Sequence, residues 1–225
     1  MRTRKTVLSA LLIAALTITL AIPASAGWFD RGVKGSGNLA TEQRDIDDFD
    51  RIRSSGSFDV YVEVGEKPGL EITFDDNLLD IVMTEVKGNT LHIYSDESFN
   101  SRKSCKIKVT TPNLSRVLIS GSGDFEIIGL RGEIFEYEVS GSGDLDASGE
   151  VDEVRVEVSG SGDVDCRDLK AKRAYVEIAG SGDVEVWAEE LFDGSIAGSG
   201  DIAYYGNPDK VSRHIAGSGD IRSRK

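Results

Sequence analysis

The chain has 225 residues, with 39 acidic side chains against 26 basic ones and a formal net charge of −13. So acidic a surface disfavours nucleic acid and anionic lipid as partners, because both are bound by positive charge. It leaves cations, cationic surfaces and neutral glycans open. A single domain of this length buries enough apolar surface to fold without a disulfide scaffold, and only two cysteines are present.

In chain order, the basic stretch Met1-Arg2-Thr3-Arg4-Lys5 precedes an apolar run from Val7 to Ile22, then Pro23 and Ala24-Ser25-Ala26. This is the layout of a secretory signal peptide cleaved after Ala26, and the apolar run is short for a membrane span of roughly 20 residues. No Cys follows it to carry a lipid anchor. Loss of residues 1–26 removes Arg2, Arg4 and Lys5 and no carboxylate, so the net charge falls from −13 to −16. Residues 27–34 read as a flexible segment. Residues 35–225 read as one domain, with irregular coils over 35–115 and regular ones over 116–225.

Within 35–115, Phe58 to Val64, Leu91 to Tyr94 and Lys106 to Thr110 read as strands. Gly65 to Gly69 and Lys87 to Thr90 read as turns, and Asn77 to Val82 as a short helical turn. From residue 116 onward the chain repeats. Gly-Ser-Gly-Asp begins at Gly121, Gly141, Gly160, Gly180, Gly198 and Gly217, at intervals of 20, 19, 20, 18 and 19 residues. Weaker copies stand at Gly35-Ser36-Gly37-Asn38 and around Ser55-Gly56-Ser57.

Two residues before each leading Gly stand Ile119, Val139, Val158, Ile178, Ile196 and Ile215. Just after each Asp stand Phe125, Leu145, Val164, Val184, Ile202 and Ile221. Alternation such as Val154-Arg155-Val156-Glu157-Val158 is the period of half-buried strands. One coil of about 19–20 residues is too short for a helix and two strands, and the pattern predicts an all-β fold: a single-stranded parallel β-helix, or solenoid. Coils stacked about 4.8 Å apart place equivalent residues above one another. The six glycines then supply sharp corners, the serines a hydroxyl ladder within reach of turn amides, and the two apolar columns a core.

Residues 35–225 resemble the putative auto-transporter adhesin head GIN domain family of secreted bacterial proteins. The resemblance is carried by Gly35-Ser36-Gly37-Asn38, Arg44-Asp45-Ile46, Phe49-Asp50-Arg51-Ile52, Asp75-Asp76-Asn77-Leu78-Leu79-Asp80-Ile81, Leu91-His92-Ile93 and Thr110-Thr111-Pro112-Asn113-Leu114 leading into Gly121. It implies a right-handed parallel β-helix, an exported setting in the periplasm, cell envelope or extracellular space, and an adhesin-like role without catalytic residues. Nothing in the sequence resembles an autotransporter's membrane barrel.

The sharpest chemical candidate is the column Asp124, Asp144, Asp163, Asp183, Asp201 and Asp220. Two carboxylates about 4.8 Å apart repel by about 0.9 kcal/mol even in water, so something must relieve the column. Weak calcium binding is one answer, since calcium takes carboxylate oxygens in flexible geometry. Hydrogen bonds from turn amides are the other, and the plainer one.

A polysaccharide-active, pectin-lyase-like enzyme would need a walled cleft and grouped catalytic residues. The turns are short, and the two histidines, His92 and His214, are far apart. Cys105 and Cys166 lie three coils apart, about 14 Å along the stack, against the 7 Å or so that a disulfide spans; two free thiols, with Cys166 buried, are expected. Trp28, Trp187, Tyr204 and Tyr205 read as packing rather than glycan stacking, and Arg222 to Lys225 as a basic tail that either blunts the last coil's edge or is simply solvated. The expectation is a non-catalytic, adhesin-like binding module for a cell-envelope or extracellular protein or glycan, with a calcium-stabilised structural module as the alternative. Nucleic acid is not expected as a partner, nor a membrane span after signal cleavage, nor any cofactor beyond weak calcium.

Overall fold

The computed structural model describes residues 32–65 and 67–224. The expected signal peptide, and all but the end of the segment 27–34 expected to be flexible, lie outside these residues. The chain folds as a β-solenoid of about 5 turns built from stacked parallel coils. Each regular coil runs up to the Gly-Ser-Gly-Asp corner as one strand and leaves it as another, so the stack has a pre-turn sheet and a post-turn sheet.

Along the stack, the parallel pre-turn order is Thr90–Ser95, Arg51–Gly56, Arg116–Gly121, then the ends of Phe125–Gly141, Leu145–Gly160 and Leu169–Gly180, then Leu191–Gly198 and Lys210–Gly217. The post-turn order runs from Cys105–Thr111 through Phe58–Val64 and the starts of the two long strands to Val164–Cys166, Val184–Trp187, Ile202–Tyr205 and Ile221–Ser223. A short third side stacks Leu130 on Gly149 on Leu169, and Gly132 on Val151 on Ala171. The next coil cuts this corner, with Glu189 N–H bonded to Ala171 O at 3.1 Å, which accounts for the interval of 18 residues at that point.

The corner is held by glycine for a geometric reason. The leading Gly of each turn has φ between +145° and +154°, where an L side chain is strained. A Cβ at Gly160 would also lie 2.0 Å from the Gly141 carbonyl oxygen below it. The second Gly of the turn is as tight: a Cβ at Gly162 would meet Gly143 O at 2.2 Å. Turn backbones therefore stack in direct contact, and Ser161 N–H donates to Gly141 O at 2.9 Å.

Inside, Phe125, Leu145, Val164, Val184, Ile202 and Ile221 form one buried column, and Ile119, Val139, Val158, Ile178 and Ile196 another. Cys166 stacks in the interior beside Val186. The column before the turn breaks at its last rung, where Ile215 is 42% exposed.

The irregular coils of residues 35–115 do not stack in chain order. The coil formed by Arg51–Gly56 and Phe58–Val64 lies between the later pair Thr90–Ser95 and Cys105–Thr111 and the first regular coil. Beyond these, the stack ends in antiparallel strands: Val82–Lys87 on Thr90–Ser95, Gly69–Asp75 on Cys105–Thr111, and Leu39–Arg44 on Gly69–Asp75. Arg44 seals this end by donating to Val82 O at 2.5 Å and Leu79 O at 2.9 Å. The expected helical turn is a 3-10 turn at Leu79–Ile81.

Gly56 takes its place in the turn column, in register with Gly121. The Gly35 copy does not, because buried Asp75 claims it, accepting from Gly37 N–H at 2.8 Å and Ser101 Oγ–H at 2.5 Å. Val33–Lys34, within the segment expected to be flexible, pair with Phe99–Asn100.

Candidate functional site

The six turn aspartates form a continuous ladder along one edge of the stack. Each coil's Asp N–H donates to the carboxylate of the coil before it: Asp144 to Asp124 Oδ1 at 3.2 Å, and Asp163 to Asp144, Asp183 to Asp163, Asp201 to Asp183 and Asp220 to Asp201, each at 2.8 Å. A hydrogen bond to a charged acceptor contributes about 1.5–3 kcal/mol, more than the repulsion of about 0.9 kcal/mol per neighbouring carboxylate in water. The turn amides reach these carboxylates and the glycine carbonyls. The expected serine hydroxyl ladder does not receive them, because Ser122, Ser142, Ser161, Ser181, Ser199 and Ser218 point to solvent.

A second carboxylate column runs beside the first. Glu126, Asp146, Asp165 and Glu185 stack in register on the outer face of the post-turn sheet, two residues after each turn Asp. Burial first, then the charges of Asp165 and Asp168, raise the Asp146 carboxyl above its ordinary value. The hydrogen bond from Arg167 lowers Asp165, overcoming partial burial. Arg167 also meets Glu185 at 3.0 Å, and Tyr205 Oη–H donates to the same carboxylate at 2.9 Å. At the far end Arg222 pairs with Asp201 at 2.5 Å and Asp220 at 3.4 Å, so the uncompensated charge is concentrated from Asp124 to Asp183.

These columns line an open groove of about 1180 Å³ that includes Asp124, Asp144, Asp163 and Asp183 and continues past Tyr61 to Lys106 and Lys108. Lys108 Nζ lies 5.7 Å from the centre of the Tyr61 ring. Among the described residues, no three His, Cys, Asp or Glu side chains converge as a metal-binding group. Asp201 and Asp220 stand outside the groove; the sequence reading missed the second column and the lysines. The signal for the column was present, since residues two apart on a strand share a face. The approach of Lys106 to the groove depends on the pairing of Cys105–Thr111 with Phe58–Val64, a contact between distant segments.

The remaining candidates are structural. Cys105 and Cys166 are free and buried, and burial pushes the Cys105 thiol up to about 12 and the Cys166 thiol higher still. Tyr204 is buried, stacked on Phe192 at 4.3 Å, and the Trp187 ring is covered by Lys170 Nζ at 3.3 Å. Glu153 is almost buried on the other flank, held by Arg155 at 2.5 Å and Arg173 at 3.0 Å. Burial alone would raise its carboxyl, but the two guanidinium groups outweigh it and lower it. No helix among the described residues is long and apolar enough to cross a membrane.

Residues 48–208 match the family described as putative auto-transporter adhesin, head GIN domain. The crystal structure of a putative adhesin from Bacteroides fragilis is similar over 85% of this chain and all of that one, at 26% identity and a TM-score of 0.73. A putative lipid binding protein from Parabacteroides distasonis is 31% identical over 86% of this chain and 99% of its own, with a TM-score of 0.55. A putative adhesin from the same species, at 23% identity and a TM-score of 0.56, shares the fold. No curated protein matches the chain.

Proposed function

The chain belongs to the putative auto-transporter adhesin, head GIN domain family, and from that premise we propose that it is an exported, non-catalytic binding module. It would hold an extracellular or cell-envelope protein or glycan along its carboxylate-lined flank. The observation that carries this reading is the groove: an open channel whose two charged columns repeat once per coil, suited to a linear partner with a repeat of its own. Its chemistry favours cationic or neutral polymers over anionic ones.

Export is supported by the leader pattern of residues 1–26 and by adhesin relatives. A non-catalytic role is supported by the ladder itself, where the carboxylates of Asp124, Asp144, Asp163, Asp183 and Asp201 already accept a backbone amide, and by the separation of the two histidines. The lipid binding named for the Parabacteroides relative fits this chain less well. The solenoid interior is filled by stacked side chains, and a carboxylate groove repels anionic headgroups.

The test is an array of glycans and envelope fractions probed with the full chain, with and without chelator. Binding should weaken about tenfold in the variant carrying Asp144→Asn, Asp146→Asn and Asp163→Asn. A partner held equally well by that variant would sink the reading, as would release of reducing or unsaturated ends from any glycan.

A further inference from the structure

The two ends of the solenoid are finished differently. At one end antiparallel strands and Arg44 close the stack. At the other, Lys210–Gly217 pairs on one edge with Leu191–Gly198, and among the described residues no strand pairs with its second edge. All eight of its residues are exposed. Val211 and Ile215 stand in register with the fully buried Phe192 and Ile196, yet are 45% and 42% exposed. The turn is open too. One coil earlier, Gly198 O accepts Ser218 N–H at 2.8 Å and Asp201 Oδ1 accepts Asp220 N–H at 2.8 Å. Gly217 O and Asp220 Oδ1 occupy the same positions at the exposed end, where no described residue donates to them.

Charge decides what could add there. The end carries Lys210, Arg213 and Arg224, with Arg222 paired to Asp201 and Asp220 and Asp209 alongside, on an otherwise acidic protein. Arg213 lies in the inward row, in register with Gly194, with its guanidinium 5.1 Å from the centre of the Tyr204 ring. A second copy docking edge to edge would set these cations against their own equivalents, and an inward charge is a known guard against such self-pairing. A strand with a carboxylate opposite Arg213 meets the opposite situation.

We propose that Lys210–Gly217 is a strand-addition site for one acidic, extended segment of a partner polypeptide. The segment runs parallel to this strand, with apolar residues over Val211 and Ile215 and a carboxylate over Arg213. Main-chain hydrogen bonds supply affinity, as in other strand-addition interfaces, and the inward charge supplies selectivity.

The probe is a synthetic peptide, Thr-Val-Thr-Glu-Thr-Ile-Ala-Gly, blocked at both ends, against its Glu-to-Lys counterpart. Each is titrated into the full chain at low salt while backbone amide resonances are followed. The acidic peptide should shift residues 210–217 and bind at least about tenfold more tightly than the basic one, and Arg213→Glu should reverse the preference. Should that variant fail to fold, the preference of the unmodified chain decides alone. Failure of both peptides to bind, equal binding of the two, or shifts confined to other strands would overturn the proposal.

Discussion

Asp163 is the rung at which the ladder can be tested most cleanly. Its Oδ1 accepts Asp183 N–H and its own N–H donates to Asp144 Oδ1, both at 2.8 Å. Asn at this position keeps a neutral acceptor for the Asp183 amide and removes repulsion from the two neighbouring carboxylates, about 0.9 kcal/mol each in water. It gives up the extra strength of a charged acceptor, about 1 kcal/mol. The balance is a gain of about 0.5–1 kcal/mol at low ionic strength. That gain should shrink towards zero or below in 1 M salt, where the screening length falls to about 3 Å. Ala at the same position loses the acceptor altogether and should lie about 1 kcal/mol below Asn in low and high salt alike. Urea denaturation midpoints of the three proteins at two salt concentrations measure this directly. Asn destabilising as much as Ala in calcium-containing buffer, but not after chelation, would mean that the carboxylates hold a cation rather than backbone amides.

Other outcomes follow from the same geometry. Gly160→Ala forces a Cβ to 2.0 Å from Gly141 O at a φ of +145°, and should cost about 3 kcal/mol or more in a urea melt, separating the coils on either side. Glu153 has a lowered carboxyl, so its pairing with Arg155 and Arg173 stabilises the fold at pH values above the ordinary carboxylate range and is lost as pH falls through the lowered value. Glu153→Gln should therefore cost about 1–3 kcal/mol at neutral pH and flatten the acid limb of the stability profile, read from melting temperature against pH. Asp146 has the opposite sign: its raised carboxyl is a strain at neutral pH that protonation relieves, and Asp146→Asn should raise the melting temperature at pH 7 more than at pH 4. Cys105 and Cys166, buried with raised thiols, should resist a thiol reagent in the native protein and react once it is unfolded, by mass shift over time.

The regular half of the solenoid was legible because its constraints are local and repeated. Positive φ and direct backbone contact admit only glycine at the corner, and the β-branched residues on either side alternate with the strand period. The first half was not, because its pairings are distant and change direction. Gly35-Ser36-Gly37-Asn38 has the composition of a column turn, but Asp75, far along the chain, holds it in the cap. Antiparallel and parallel strands carry the same alternation, so Gly69–Asp75 and Leu39–Arg44 gave no sign of reversing. For the turn aspartates, the sequence posed the electrostatic problem, but which amide meets the carboxylates of Asp124, Asp144, Asp163, Asp183 and Asp201 is set by how the coils stack. Ile215 followed the core pattern and is exposed because no described residue stacks above it.

In the function proposed above, the carboxylate groove rather than either end of the stack holds the main partner. The most direct measurement compares affinities for the strongest hit of a glycan and envelope array. The Asp144→Asn, Asp146→Asn and Asp163→Asn variant should bind about tenfold more weakly than the unmodified chain, with a smaller salt dependence, while Arg213→Glu leaves the affinity unchanged. A loss of binding in Arg213→Glu with full retention in the groove variant would place the main partner at the end of the stack instead.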